Sequence, residues 1–364
     1  MKILQGNCLE RLRELPDESV QCCVTSPPYW GLRSYKTESQ IWGGDPVCAH
    51  VWGAQIPGSN RGGSGTPTDK NGRGEGYGRD AARGNWCQNC GAWLGDFGLE
   101  PTPELYVEHA VAVFREVRRV LRNGGLLWLV IGDSYAHSLR QSGLGHAGLK
   151  QNTNEGSIRD GFKPCPAGLK EKDLLGIPWR VALALQADGW WLRSDIIWAK
   201  PNVMPSSVRD RCTTSHEHIF MLAKSARYYF DSEAIKESSA NGGQVVTLGK
   251  QSFSKRQADG AGVKPSGNGN ADTYTVKEFR NKRDVWTVAT RPYKGSHFAV
   301  FPPKLIEPCI LAGSKPGDIV LDPFAGSGTT GVVALRHKRE FIGIELNPDY
   351  ITLINKRLLA ELLS

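Results

Sequence analysis

Ile319-Val-Leu-Asp-Pro-Phe-Ala-Gly-Ser-Gly-Thr-Thr-Gly331 sets the architecture of this chain. Three aliphatic residues run into a carboxylate, Asp322. A glycine-rich turn follows, and Thr329 opens a helix. The order is strand, turn, helix, and Gly326 and Gly328 let the backbone come close to a ligand. Residues 341–344 form the next strand, and Glu345 ends it 23 residues after Asp322. An acid about 20 residues beyond such a turn is what holding a ribose diol requires. A phosphate-gripping NTPase loop is disfavoured because no Gly-Lys-Ser/Thr follows. A dinucleotide is disfavoured because the six-residue glycine pattern is incomplete. A tight structural turn is the plain alternative.

Strands and helices alternate on the amino-terminal side of this segment. Residues 20–25 are a short apolar run stopped by Ser26-Pro27-Pro28, as in a buried strand. Residues 102–122 have helical apolar spacing, Thr102 as cap, Pro103 in the first turn and Asn123-Gly124-Gly125 as terminator. A second buried strand is expected over 126–131, a helix over 174–188 and a strand over 190–198. Residues 218–223 and 228–230 suggest a hairpin. Pro348 opens a last helix capped by Asn347. This alternation predicts an α/β fold, doubly wound about a mostly parallel sheet, with ligands beyond the carboxyl ends of the strands.

The chain has 364 residues, 42 of them glycine, and a formal charge of +8. Ten of those glycines fall within residues 53–85, which have almost no large aliphatic side chains and read as a loop. Residues 136–171 and 238–284 are also polar. The latter carries Lys250, Lys255, Arg256, Lys264, Lys277, Arg280, Lys282 and Arg283 against four acids, and could neutralise phosphates. The positive balance favours a polyanionic partner. The first 20 residues lack the apolar stretch of a signal peptide, and no 18-residue apolar run exists to span a membrane. Nine scattered cysteines do not resemble a secreted disulfide framework. A soluble cytoplasmic protein without membrane partners is expected.

Two further groups of residues carry chemistry. Thr25-Ser26-Pro27-Pro28-Tyr29-Trp30 ends a strand with two residues that lack N–H groups, which holds nearby carbonyls outward as acceptors. With the Ser26 hydroxyl and the flat rings of Tyr29 and Trp30, it suits a planar group bearing an NH2; a plain turn is the alternative. Cys48-Ala-His50 and Cys87-Gln-Asn-Cys90 bracket the glycine-rich loop and offer four ligands suited to tetrahedral structural zinc. Coincidence among nine cysteines is the competing explanation.

Taken together, these motifs resemble the S-adenosylmethionine-dependent DNA methyltransferases that modify adenine N6 or cytosine N4. Asp322-Pro-Phe-Ala-Gly-Ser-Gly328 is similar to that family's cofactor loop, and Ser26-Pro-Pro-Tyr29 to its catalytic motif. His297-Phe-Ala-Val-Phe-Pro302 looks like the segment covering the methionine end of the cofactor. Gly6-Asn-Cys-Leu-Glu10, Ile131-Gly-Asp-Ser134, Ser194-Asp-Ile-Ile-Trp198 with Lys200, and Phe341-Ile-Gly-Ile-Glu345 also match family positions. The catalytic motif comes first and the cofactor loop last, as in the circularly arranged β group.

The resemblance implies a Rossmann-like methyltransferase core made of residues 1–44, 99–237 and 291–364. A zinc-ribbon-like insert would occupy 45–98 and a target-recognition region 238–290. It implies catalytic roles for Ser26, Pro27, Pro28 and Tyr29. S-adenosyl-L-methionine would be bound by Asn7, His297, Phe298, Asp322, Phe324, Gly326, Gly328, Thr329 and Glu345. The substrate would be double-stranded DNA, and a cognate restriction endonuclease is a possible partner. Many relatives have Asp where Asn7 stands. A motif beginning with Ser26 looks more like cytosine-N4 enzymes, while an Asp there looks more like adenine-N6 enzymes. Methylation of RNA or of a protein glutamine is a rival, though Ser26 argues against the glutamine case. Pro164-Cys165 matches the dipeptide of carbon-5 cytosine enzymes but sits in a polar loop as a bystander. A non-catalytic zinc-containing DNA-binding protein would leave Asp322, Glu345 and Ser26 without a reason to occur together.

Overall fold

The computed structural model describes residues 1–32, 37–54, 85–136, 169–247, 273–290 and 301–363. Two compact units are present: Met1–Tyr229 with Asp284–Ser364, and Phe230–Arg283.

The first unit begins with β1 (Lys2–Gln5), α1 (Cys8–Arg13) and β2 (Val20–Thr25). Four short strands follow: β3 (Gln40–Trp42), β4 (Trp52–Ala54), β5 (Trp86–Cys87) and β6 (Trp93–Gly95). Then come α2 (Pro103–Val120), β7 (Leu121–Ile131), α3 (Ile177–Ala187), β8 (Trp191–Ala199) and β9 (His216–Ala223). In the second unit β10 (Glu237–Ser238) pairs with β13 (Phe279–Arg280), and β11 (Val245–Thr247) with β12 (Thr273–Thr275), both antiparallel. The first unit resumes with β14 (Val285–Thr287), α4 (Pro303–Gly313), β15 (Ile319–Asp322), α5 (Thr329–Arg336), β16 (Glu340–Glu345) and α6 (Pro348–Leu362).

Eight strands form one sheet in the order β1-β16-β15-β2-β7-β9-β8-β14. All neighbours are parallel except the two pairings of β9, with β7 and with β8. Helices α1 to α3 pack on one another and α4 to α6 on one another, giving two helical layers. This is the doubly wound α/β fold expected. Its central strand β2 is buried at all six positions, which is why it reads as a continuous apolar run rather than an alternating one.

The expected ends hold where caps define them. Thr102 accepts from the Leu105 amide at the start of α2, and Asn347 accepts from Asp349 at the start of α6. The helix read over 174–188 is shorter, 177–187, because Pro178 sits in its first turn behind a left-handed Gly176. The hairpin read over 218–223 and 228–230 does not form. Ladders to β7 and β8 take up both edges of β9, leaving no edge for 228–230 to pair with. The Tyr229 amide instead donates to the Gly124 carbonyl at 3.0 Å.

β15 and β2 are neighbours from which the chain winds in opposite directions, β15 through α5 to β16 and β2 through α2 to β7. That reversal is the switch point where doubly wound sheets open a crevice for ligands. The Thr25 hydroxyl donates to Asp322 across the junction at 2.6 Å.

Candidate active site

A cavity of about 420 Å³ lies at this edge of the sheet, within the usual size of small-molecule sites. Its walls include Ser26, Pro27, Pro28 and Tyr29 after β2, residues 322–327 from the last residue of β15 onward, Glu345 at the end of β16, and Asn7 after β1. Thr329, Trp42, Phe97, Lys200, His216 and Glu217 complete the parts of the wall that bear on chemistry. Both motifs read from the sequence therefore face one space.

Glu345 is held at the end of β16 by two backbone donors, Gly326 N–H at 2.8 Å and Asn347 N–H at 2.8 Å. Burial pushes its carboxyl up to about 7, with the nearby Asp322 charge adding to that effect while the two amides oppose it. Asp322 is buried, and its carboxyl is raised to about 6 by that burial. Its oxygens accept from Thr25 at 2.6 Å, Thr330 at 2.7 Å and the Phe324 amide at 3.1 Å. It thereby ties β2, α5 and the turn into one frame. Gly326 and Gly328 have φ of 53° and 76°, the left-handed region. The Thr329 hydroxyl is 3.3 Å from that of Ser327, and the Phe324 ring stacks on Phe97 with centroids 5.6 Å apart. Asn7 caps α1 by accepting from the Leu9 amide at 2.8 Å, and its amide donates to Gln40 at 3.2 Å. His297 and Phe298 lie outside the described residues, as do Pro164-Cys165 and Lys250, Lys255, Arg256 and Lys264.

On the opposite wall the Pro28 carbonyl accepts from the Tyr106 hydroxyl at 2.9 Å, while Ser26 and Pro27 line the cavity. The Tyr29 hydroxyl is 3.3 Å from Ser26 Oγ and donates to Glu217 at 2.8 Å. Glu217 in turn is paired with Lys200. The Tyr29 ring lies over Gly132, where a Cβ would meet Tyr29 Cε2 at 2.8 Å. A hydroxyl, a carbonyl, an aromatic ring and a carboxylate relay thus converge beside the cofactor-type loop.

Lys200 falls in a segment already singled out by resemblance, but Glu217 was not. It is the second residue of β9, which runs against its neighbours, so the amino end of β9 shares the edge where the other strands end. A search for acids at carboxyl ends of strands passes over it. A glutamate two residues before the apolar run Ile219–Ala223 is the signal that could have found it.

Cys48, His50, Cys87 and Cys90 come together, with their ligand atoms all within 4.8 Å of one another. In the second unit, Arg280 and Arg283 both donate to Glu237, at 2.9 and 2.6 Å. Among the described residues no helix is long and apolar enough to cross a membrane.

A family model described as DNA methylase, the N6/N4 methyltransferases, matches residues 20–356. The Type II methyltransferase M.Cfr9I of Citrobacter freundii is 40% identical over 359 residues, covering 99% of this chain and 88% of that protein. Among solved structures, PvuII DNA methyltransferase (cytosine-N4-specific) superimposes with a TM-score of 0.51 at 18% identity, over 98% of this chain and 85% of that one. A putative DNA modification methylase of Thermus thermophilus, TTHA0409, complexed with S-adenosyl-L-methionine, gives 0.50 at 21% identity over 99% and 93%.

Proposed function

Because the chain belongs to the N6/N4 DNA methylase family, we propose that it transfers a methyl group from S-adenosyl-L-methionine to the exocyclic amine of a flipped-out DNA base, with cytosine N4 as the target. One observation carries this reading: Ser26 to Tyr29 and residues 322–327 with Glu345, far apart in the chain, line a single cavity.

The cavity's donors and acceptors fit the cofactor. Glu345, fixed by two amides, is an acceptor for ribose hydroxyls. Phe324 and Asn7 lie beside it, and His297 and Phe298 would cover the opposite end. The cofactor supplies a methyl group already activated on a sulfonium. What the protein must provide is orientation and charge placement.

An exocyclic amine is a poor nucleophile because its lone pair is delocalised into the ring. The Ser26 hydroxyl and the Pro27 carbonyl can accept its two hydrogens, draw the nitrogen toward sp3 geometry and aim the lone pair across the cavity. The Ser26–Tyr29–Glu217 chain of hydrogen bonds gives the displaced proton a path toward a carboxylate. A base inside a duplex cannot reach this wall and must leave the stack. Tyr29 is the aromatic surface available to it, a contact worth about 1–3 kcal/mol. No covalent intermediate is needed, and the Cys/His cluster takes no part in the transfer.

Residues 238–290 would read the target sequence. By likeness to M.Cfr9I, named a Type II methyltransferase, a cognate restriction endonuclease is the proposed partner in the cell.

Sequencing DNA from an expression host, by a method that separates methylated bases, tests the reading. N4-methylcytosine in one short motif is the expected result. Methyladenine would move the target to adenine N6. Unmodified DNA together with no cofactor binding in calorimetry would favour a non-catalytic DNA-binding protein. The variant Ser26→Ala is expected to lower turnover by about 100-fold or more, as loss of one transition-state partner does. Its cofactor affinity should stay within about twofold, since Ser26 touches only the acceptor side. A comparable loss in both would overturn the role given to Ser26.

A further inference from the structure

Two segments far from one another in sequence meet in the insert. Cys48 Sγ stands 3.9 Å from Cys87 Sγ, and Cys90 Sγ stands 3.5 Å from His50 Nδ1. Tetrahedral zinc, with bonds of about 2.3 Å to sulfur and about 2.05 Å to nitrogen, sets sulfur pairs about 3.8 Å apart and sulfur–nitrogen pairs about 3.6 Å apart. The two observed edges match that polyhedron. A disulfide would need about 2.05 Å between sulfurs.

The backbone is already shaped around these ligands. Gly91 donates to the Cys87 carbonyl at 3.0 Å, Gln88 to Val51 at 2.8 Å, and the Asn89 side chain to Ala49 at 2.9 Å. The ladder joining the two segments is short, pairing Trp52 with Cys87 and Ala54 with Trp86. β4 is the outer strand of its sheet and is held there by this ladder alone. Closing the chain between the two segments carries an entropy cost that a metal tie would offset.

What the tie would support is a wall of the cavity. β3 to β6 form a four-stranded ribbon in the order β3-β6-β5-β4. Its Trp42 stacks on Phe97 at 5.1 Å, and Phe97 on Phe324 of the cofactor-type loop. Just beyond, Gly98 accepts the Gly31 amide at 2.7 Å and packs so tightly on the catalytic loop that a Cβ would meet Pro28 Cβ at 3.0 Å. Its φ of +94° also demands glycine. Glu100, buried beside His109, accepts the Trp30 indole through its carbonyl at 2.9 Å.

We propose that Cys48, His50, Cys87 and Cys90 bind one zinc ion as a closed structural site, and that this ion holds the ribbon as the wall against which the catalytic loop 26–30 is positioned. Four protein ligands leave no open position, so the ion has no part in the reaction.

The test uses the full chain, purified under reducing conditions without added metal. Elemental analysis should find about one equivalent of zinc, and cobalt substitution should give thiolate-to-metal charge-transfer bands. Cys90→Ser should fall below about a fifth of an equivalent, while Cys212→Ser, at an exposed thiol outside the cluster, keeps the wild-type content. Chelation of the wild type should raise hydrogen exchange roughly tenfold or more in residues 28–32 and 86–98 and leave 319–345 unchanged. Under about a fifth of an equivalent in the wild-type protein would overturn the site. Zinc whose removal leaves 28–32 unchanged would overturn its positioning role. Neither readout needs the cofactor, so failure here is separable from failure of the methyl-transfer reading.

Discussion

In its proposed role as the ribose acceptor, Glu345 would couple cofactor binding to pH. Its carboxyl sits near 7 because burial disfavours the charge more than two amide donors restore it. Ribose hydroxyls donate more strongly to the ionised form, which accepts with both oxygens, so cofactor binding should favour that form, release protons and weaken below about pH 7. Between pH 7.5 and pH 6 the affinity is expected to fall about five- to tenfold, and Glu345→Gln should bind more weakly with a flat profile. Calorimetry across that range checks it, and a flat profile in the wild-type protein would contradict the assignment. Asp322, the other acid of the motif, has its oxygens taken by Thr25, Thr330 and the Phe324 amide. The sequence marks both acids alike, as carboxylates closing strands. Which of the two has its oxygens taken up in bracing the turn depends on hydroxyls up to 297 residues away, and spacing alone holds no record of that. Glu217 was illegible for a related reason, since the direction of a strand is a property of its neighbours.

Among the elements, β7 and the glycine that follows it set the position of the Tyr29 ring. Gly132 leaves room for Tyr29, and a methyl there would stand 2.8 Å from the ring and 3.2 Å from Glu217 Cγ. Gly132→Ala is therefore expected to cost about 1–3 kcal/mol of stability. It should also lower turnover more than cofactor affinity. Chemical denaturation and steady-state kinetics measure the two effects, and an unchanged turnover would show that the Tyr29 position is not set from β7. Elements of this kind were legible when they were long and capped, as α2 and α6 are. α1 has only six residues, too few to show a period. α4 went unread because Pro303 and an internal Pro308 look like breakers. The ribbon strands have two or three residues each. Their position was visible only through the ligand types at their ends.

For the whole molecule, the formal charge of +8 predicts that DNA binding weakens steeply with salt. From 50 to 200 mM the dissociation constant for duplex DNA is expected to rise about tenfold or more, with much less change for the cofactor. A salt-independent DNA affinity in a titration would contradict an electrostatic footprint. Composition gave the sign of the partner, and the two motifs gave the chemistry, but neither tells which strands adjoin. That adjacency has a consequence for synthesis. β2 is read early and its partner β15 nearly 300 residues later. At about 5–20 residues per second, translation leaves the β15-facing edge of that fully buried strand uncovered for roughly 15–60 s. During that interval the nascent chain has the loop 26–30 without residues 322–345 beside it. Under the proposed function, methylating capacity can therefore arise only once residues 319–345 have emerged from the ribosome.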